Sequence, residues 1–242
     1  MDQKKLELLN KSDCIKFFEA IARVSDTCIL TIHKDGYLSS LVSSPDNTLI
    51  LYAECSEIES IDTYRVNIPD IKRLVRVIDS IDSNSISLKV NTNNLEYRDT
   101  NIKFKYHLFD EGFLTLPSIN IEKVKNFETN IHFKLTRETL QNIIKSSTFT
   151  NGTNNVYFYD EQGRLKAELT DRARHNTDMI ALDLGECDYK LNPLPINLDN
   201  IKLLTLTDDG VKFGINTQHS VMVVENKIKD IKLKYIITSL VQ

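Results

Sequence analysis

The sequence is poor in the residues that mark several specialised protein classes. Its 242 residues include no tryptophan, seven glycines, five prolines and four cysteines. So few glycines and prolines are typical of an ordered chain. The cysteines lie far apart and none forms a CxxC pair, which argues against a zinc site and against a disulfide framework. We therefore predict free, buried thiols at Cys14, Cys28, Cys55 and Cys187.

Long hydrophobic runs and an excess of positive charge are also missing. No apolar run of about 18 residues occurs, and residues 1–13, MDQKKLELLNKSD, lack the apolar core of a signal peptide. These features predict a soluble, intracellular protein without membrane contact. Lys and Arg number 30 against 34 Asp and Glu, a formal net charge of −4. Wrapping nucleic acid over the whole surface is therefore disfavoured, and any DNA contact must come from a segregated basic face.

Common catalytic motifs are missing as well. The sequence contains no GxxxxGK[ST], HExxH, GxGxxG or GxSxG pattern. The histidines are scattered without metal-ligand spacing, at His33, His107, His132, His175 and His219. Asp208-Asp209-Gly210 is more typical of a turn between strands than of a metal site. We predict no catalytic residue, metal or cofactor, and the chain is not expected to be an enzyme.

One motif recurs four times along the chain, and such a repeat constrains the architecture more strongly than local propensity does. Each copy consists of a short strand, a capping or turn residue, an amphipathic helix and further strands. The first copy is Lys5–Leu9 with a helix over 13–24 capped by Ser12, and the second is Thr63–Val66 with a helix from Ile68 to Ile81. The third is Ile131–Leu135, followed by Thr136 as the capping or turn residue and a helix to about Ser147, and the fourth is Tyr189–Leu191 with a short helix over 198–204.

The stretches between these helices predict antiparallel strands. They alternate apolar and polar residues and carry turn signals such as Asp35-Gly36 and Glu161-Gln162-Gly163. One more strand is predicted over 203–207. Copies one and two form one half of the chain, and copies three and four form the other. We therefore predict an α+β fold of two similar domains, 1–110 and 131–242, each with two helices packed on antiparallel sheet, joined by a connector over 111–130.

The predicted helices carry basic residues opposite their apolar faces. These residues are Lys16 and Arg23 in the first helix, Lys72, Arg73 and Arg76 in the second, Arg137 and Lys145 in the third, and Lys202 in the fourth. On any single helix such residues are more often solvated surface than a binding site. Four helices with the same pattern instead predict a shared face that contacts DNA phosphates without sequence preference.

Three segments resemble DNA sliding clamps, each at the position where that family has it in a four-fold repeat. Residues 157–165, YFYDEQGRL, and 178–185, DMIALDLG, are similar to a hairpin and the following strand of tailed-phage clamps. Residues 231–237, IKLKYII, resemble the hydrophobic-Lys-Tyr-hydrophobic ending of the archaeal and eukaryotic proliferating cell nuclear antigen class. The resemblance extends over nearly the whole chain.

This resemblance implies a DNA polymerase processivity factor that encircles duplex DNA as a head-to-tail homotrimeric ring. Helices would line the hole and sheets would form the outer wall. The implied partners are double-stranded DNA, further copies of the chain, the replicative DNA polymerase, a clamp-loader ATPase and other replication, repair or transcription proteins, with no cofactor. A phage-encoded clamp would act in the cytoplasm or nucleoid of a bacterial host.

The resemblance also implies contact residues. Subunits would pair through edge strands over 101–108 and 177–184. The corresponding interface residues are Ile102, Phe104, Tyr106, Met179 and Ala181. Partner peptides would dock into an apolar pocket between the connector and the C-terminal tail. Its residues would be Leu41, Val42, Phe113, Leu116, Ile236 and Ile237. Each position is equally compatible with an ordinary strand or core residue.

Two other classes of function stay open on the sequence alone. An enzyme with an unrecognised nucleophile or metal would be expected to gain thermal stability with a divalent ion. A phage structural or assembly protein can also be built from β-rich repeats without encircling DNA. In such a protein the helix faces need not be basic, so reversal of their charge would leave its activity intact.

Overall fold

The computed structural model describes residues 4–150, 153–207 and 209–240. The chain divides into two compact units. The first comprises residues 1–126 and 227–234, and the second residues 127–226 and 235–242. Asp208, part of the turn predicted before Val211, lies outside the described residues.

The first unit contains three helices and most of the strands. Its elements are β1 (Lys4–Leu8), α1 (Lys11–Val24), β2 (Cys28–His33), β3 (Tyr37–Ser43), β4 (Leu49–Cys55), β5 (Ile58–Ser60), β6 (Tyr64–Ile68), α2 (Ile71–Asp79), β7 (Ile86–Asn91), β8 (Asn94–Arg98), β9 (Lys103–His107) and α3 (Ile121–Lys125). One antiparallel sheet has the strand order β5-β1-β7-β8-β9, and the other strands follow the order β4-β3-β2-β6.

The second unit repeats this plan with shorter helices. Its elements are β10 (Ile131–Leu135), α4 (Arg137–Ser146), β11 (Asn155–Glu161), β12 (Arg164–Leu169), β13 (Ile180–Glu186), β14 (Leu194–Asn197), α5 (Leu198–Leu203), β15 (Val211–Asn216), β16 (Val221–Ile228) and the end of β17 (Ile231–Thr238). A four-stranded antiparallel sheet has the order β13-β12-β11-β14, and β10, β15, β16 and β17 follow one another in a second. The predicted α+β class is confirmed.

In each unit the two longer helices lie side by side, α1 with α2 and α4 with α5. Helix α1 also packs on β3 and β4, because its apolar residues recur with helical spacing. Its buried apolar residues are Cys14, Phe17, Phe18, Ala20, Ile21 and Val24. Burial of Phe17 and Phe18 contributes roughly 1.5–3 kcal/mol each. Packing of α1 on these strands therefore fixes the direction in which its exposed side chains point.

Two predicted helix starts were wrong by a few residues. Helix α1 begins at Lys11 rather than Asp13, and its N-cap is Asn10 rather than Ser12. The Asn10 side chain accepts a hydrogen bond from Asp13 N at 3.2 Å. Helix α2 begins at Ile71 rather than Ile68, because Asp70 caps it. Asn, Asp and Ser are nearly equivalent caps, so the end of the preceding strand decides which one is used.

Strand predictions failed around the fourth copy and in the connector. The strand lies at Leu194–Asn197 rather than at Tyr189–Leu191. It is an edge strand, where Pro195 is tolerated although it lacks an N–H. Residues 204–207 form no strand, because α5 runs to Leu203 and the chain then leaves regular structure. The connector, in turn, contains the unpredicted helix α3, capped by Asn120.

No helix within the described ranges has both the length and the apolar character that a bilayer crossing demands.

Candidate functional site

Helix α2 presents the most strongly basic face of the first unit. Its buried residues are Ile71, Leu74 and Ile78. Lys72, Arg73 and Arg76 are exposed, and the first turn contains no acidic residue. The Asp70 carboxylate accepts a hydrogen bond from Arg73 N at 2.8 Å and so fixes where the helix begins. The three cations predicted from the sequence therefore share the outer side of one helix.

These cations are weakly held by their own unit. Lys72 Nζ lies 2.8 Å from Asp26 Oδ1, and both side chains are exposed. Such surface pairs contribute only about 0–1 kcal/mol, so Lys72 remains available to another anion. The Arg73 guanidinium lies 5.8 Å from the centroid of the Tyr106 ring. Arg76 has no ion-pair partner among the residues that the structure describes.

Helix α1 adds fewer cations. Arg23 is exposed in its last turn, whereas Lys16 is half-buried with Nζ 3.7 Å from Oδ1 of the buried Asp13. The exposed Glu19 interrupts this face. Lys11, which the sequence did not single out, hydrogen-bonds through Nζ to the Ile81 carbonyl oxygen. This bond ties the beginning of α1 to the chain just after α2.

The helices of the second unit carry a thinner basic face. Arg137 and Lys145 are exposed on α4, whose start is capped by Thr136 at 3.1 Å from Thr139 N. Lys202 on α5 is exposed but pairs with Asp199 at 2.8 Å. Exposed lysines and arginines on helices can neutralise phosphates, and they carry no means of distinguishing base pairs.

A cavity of about 310 Å³ in the first unit brings together three of the six predicted pocket residues. Leu41 and Val42 on β3 line it together with Leu116 from the connector. The other lining residues come from the start of β2 and from the β3–β4 turn; with the connector they are Ser25, Thr27, Cys28, Ile29, Ser43, Asn47, Leu114, Thr115, Pro117 and Ser118. The sequence did not identify the β2 residues, because only the folded chain brings them close to the connector.

The other three predicted pocket residues lie elsewhere. Phe113 is 68% exposed, and its ring lies 4.4 Å from the Phe109 ring between centroids. Ile236 and Ile237 are buried in the part of β17 that belongs to the second unit. They are not among the residues lining this cavity, and their role in a pocket stays a prediction.

The predicted subunit contacts fall on two edge strands, β9 and β13. Phe104 and Tyr106 lie in β9, with Ile102 just before it. Tyr106 is buried, and its hydroxyl donates to Asp70 O at 2.6 Å, so this side chain serves its own unit. The exposed side chains of β9 are instead Lys103, Lys105 and His107.

Strand β13 is the edge of the four-stranded sheet. Ala181 is exposed on it, and Met179, 54% exposed, precedes it. Asp183 faces solvent between Arg164 and Lys166 of the neighbouring β12, with Arg164 Nη2 donating to Oδ1 at 2.9 Å and Lys166 Nζ donating to Oδ2 at 3.1 Å. The bond from Arg164, with Gly185 N and Lys166, holds the pKa of Asp183 well below its ordinary value.

The four cysteines are free, with Cys14, Cys28 and Cys55 buried and Cys187 partly exposed. Cys28 lies against the cavity, and burial raises the pKa of its thiol to about 12. Within the described part of the chain, no three His, Cys, Asp or Glu side chains are grouped so that they could hold a metal ion.

Comparison with known proteins identifies the fold. No family model and no curated protein matches the sequence. Among solved structures, the chain is similar to A. fulgidus PCNA bound to the C-terminal region of FEN-1, at a TM-score of 0.73 and 13% identity over 99% of both chains. Similarity to the proliferating cellular nuclear antigen of Entamoeba histolytica gives a TM-score of 0.74 and 14% identity over 100% of both chains.

The beta clamp of H. pylori, in complex with 5-chloroisatin, is also similar, with a TM-score of 0.77 and 15% identity. Here 100% of this chain matches 68% of the clamp. The chain therefore has the fold of DNA sliding clamps, and the fold expected from the resemblance in the sequence is confirmed.

Proposed function

We propose that this chain is a DNA polymerase processivity factor, a sliding clamp that encircles duplex DNA and tethers the replicative polymerase. The observation that carries the proposal is the exposed row of Lys72, Arg73 and Arg76 on one helix of a chain with the clamp fold and a net charge of −4. Segregated positive charge on helices attracts phosphates without reading bases. A protein that slides along DNA needs this combination.

We infer that the ring is a head-to-tail homotrimer, with two domains from each chain. Support comes from the two edge strands, β9 and β13, whose outer backbone groups are available to another copy. The exposed Lys103 and Lys105 of β9 complement the exposed Asp183 and Glu186 of β13. A heterologous contact of this kind closes into a ring when the rotation between copies fits.

The role is non-catalytic, and its partners dock as peptides. The cavity beside Leu41, Val42 and Leu116 is large enough for one or two apolar side chains of such a peptide. The DNA polymerase, a clamp-loader ATPase and other replication, repair or transcription proteins are the proposed occupants. If the chain is phage-encoded, it acts at the DNA in the cytoplasm or nucleoid of a bacterial host.

A topological assay tests the proposal. The protein is threaded onto linear duplex DNA whose ends are then blocked, and retention is measured by gel filtration as salt is raised. The triple substitution Lys72→Glu, Arg73→Glu and Arg76→Glu should leave the fold and the trimer intact but shorten retention by about tenfold, because each lost phosphate contact weakens the electrostatic attraction.

A control triple substitution changes the net charge equally. Lys34, Lys190 and Lys227 are exposed and lie outside the helices, so their replacement by Glu should alter retention little. Equal retention of the two triple variants would remove α2 from the DNA-facing surface. A strictly monomeric protein at high concentration that is not trapped on end-blocked DNA would overturn the sliding-clamp function itself.

A further inference from the structure

The connector segment that walls the cavity is fastened at its two ends. Its first end is attached to β6 by Asn67. The Asn67 side chain donates through Nδ2 to Asp110 O at 2.7 Å, and Phe109 N donates to Asn67 O at 3.1 Å. The Phe113 ring, tilted by 38° relative to the Phe109 ring, adds an aromatic contact to this attachment.

The second end is fastened through helix α3. Lys125, its last residue, places Nζ 3.2 Å from Glu54 Oε1 on β4 and 5.0 Å from the centroid of the Tyr52 ring. The Lys125 carbonyl oxygen accepts a hydrogen bond from Lys234 Nζ at 2.7 Å. Val124, one residue earlier, is fully buried. Two residues therefore hold this end: Lys125 through an ion pair, a ring contact and a hydrogen bond to its carbonyl oxygen, and Val124 through burial of its apolar side chain.

Glu54 is the centre of this attachment. Besides Lys125 it accepts a hydrogen bond from the Tyr52 hydroxyl at 2.5 Å, and Lys232 Nζ lies 3.5 Å from its other oxygen. Burial acts to raise the pKa of Glu54, but the bonds from Tyr52 and Lys125 outweigh it and hold the pKa below its ordinary value. Its side chain is 19% exposed and that of Lys125 is 32% exposed. The pair is therefore better shielded from solvent than an ordinary surface ion pair.

Between the two attachments the connector touches the cavity. Residues 114–118 all line it. For these five residues no hydrogen bond to any other described part of the chain is present. Their position at the cavity hence depends on the attachments before and after them. Only a few residues separate Ser118 from the start of α3 at Ile121, so little slack exists on that side.

We propose that Glu54 and Lys125 are positioning residues that hold the connector as a strap across the cavity and so set access to its floor. The inference rests on the proposed function for what enters, since the strap would set how readily a partner's peptide docks. Release of the ion pair lets residues 114–118 move off the cavity while both units stay folded. A partner that supplied a carboxylate to Lys125 would compete with Glu54 for the same cation.

Access to the cavity is measurable without a peptide through a thiol introduced by Leu41→Cys, carried by every protein in the experiment. Leu41 lines the cavity, is 3% exposed and pairs across the strands with Tyr52, on the sheet face that Lys125 contacts. The experiment is pulse labelling of the full chain with N-ethylmaleimide, with the extent at each cysteine determined by peptide mass mapping. Glu54→Gln keeps the shape and the acceptor for Tyr52 but removes the charge. Lys125→Met removes the cation at similar length. Each should raise the labelling rate of the thiol at position 41 by roughly three- to tenfold.

Two controls separate a strap from a general loss of structure. Lys123→Ala removes an exposed lysine from the same helix and should leave the rate unchanged. Cys14 and Cys55, which are buried away from the cavity, should stay unlabelled in every variant. The double variant Glu54→Gln with Lys125→Met should raise labelling at position 41 by less than the two single effects combined, because the bond between Glu54 and Lys125 is lost in both single variants.

Unchanged labelling at position 41 in both single variants overturns the strap, and so does a parallel rise at Cys14 and Cys55, which assigns the effect to unfolding. Additive rates in the double variant overturn the pairing of Glu54 with Lys125. None of these outcomes depends on DNA or on self-association. The strap and the clamp function can consequently fail independently.

Discussion

The two units share a plan but differ in the charge of their free sheet edges. In the first unit, β9 exposes Lys103, Lys105 and His107. In the second, β13 exposes Asp183 and Glu186. Two copies of the same edge facing each other would place like charges opposite one another, which is unfavourable. Opposite edges attract, and this difference favours a head-to-tail contact over a symmetric two-fold one.

The units also differ in how the helix start is braced. In the first unit, Asp70 caps α2 and its backbone is held from both sides by the Tyr106 hydroxyl, which accepts from Asp70 N at 3.1 Å and donates to Asp70 O at 2.6 Å. Tyr106 belongs to the edge strand β9. In the second unit, the cap Thr136 bonds to Thr139 of its own helix. The first unit thus links its free edge directly to its basic helix.

Charge reversal of the β9 edge should produce the largest change. Lys103→Glu with Lys105→Glu would place four carboxylates across the proposed contact and is expected to weaken self-association by about two orders of magnitude. Light scattering over a range of protein concentrations measures this shift. A double variant with the same net charge, Lys212→Glu with Lys227→Glu, changes exposed lysines away from β9 and should remain assembled.

If both double variants assemble equally well, the charge difference between β9 and β13 does not determine self-association. The stronger test is whether Glu186→Lys on β13 restores assembly of the variant with Lys103→Glu and Lys105→Glu. Such a restoration would show that the two edges contact each other, because charge changes at unrelated surfaces do not compensate.

Removal of the Tyr106 hydroxyl tests the second difference and should have a smaller effect. Tyr106→Phe keeps the buried ring but leaves the backbone of Asp70 without two hydrogen bonds, at a cost of about 1–2 kcal/mol. Thr136→Ala in the second unit removes only a cap, at about 1 kcal/mol. Denaturant unfolding measures both. In Tyr106→Phe, hydrogen exchange should increase in β9 and α2 together. An increase confined to α2 would show that Tyr106 does not couple the edge strand to the helix.

The sequence predicted the helices well, because their apolar residues repeat with a helical period. The buried Leu74 and Ile78 follow directly from that pattern. The cap Thr136 follows from the preference for Ser, Thr, Asp and Asn at helix starts. The helix α3 was not predicted, since its five residues are too few for periodicity to emerge. The strand at Leu194–Asn197 was misplaced because Pro195 argues against a strand unless the strand is known to be an edge.

Some features of the candidate site were likewise predictable from the sequence, and others were not. The exposed cations Lys72, Arg73 and Arg76 were predictable, because a helix that buries one side must expose the other. The contact of Glu54 with Lys125 was not, since the two residues are distant in sequence and carry no motif. Three of the six pocket residues share a cavity, which a resemblance in sequence could suggest only by position.

The smallest predicted effect is a dependence of the acidic edge on pH. The hydrogen bonds from Arg164, Gly185 N and Lys166 depress the pKa of Asp183. A depressed carboxyl pKa stabilises the folded state fully above the carboxyl's ordinary pKa of about 4, and this stabilisation is lost as pH falls towards the depressed value. Amide exchange along β12 and β13, corrected for its intrinsic pH dependence, should therefore be constant between about pH 5 and 8 and rise only in stronger acid.

Substitution of Arg164 identifies the cause. In Arg164→Gln, the carboxyl resonance of Asp183 should titrate at a higher pH than in the unaltered chain, because the first and largest contribution to its low pKa is gone. An Asp183 titration that does not move in Arg164→Gln would contradict this role of Arg164 and leave Gly185 N and Lys166 as the groups that depress the pKa.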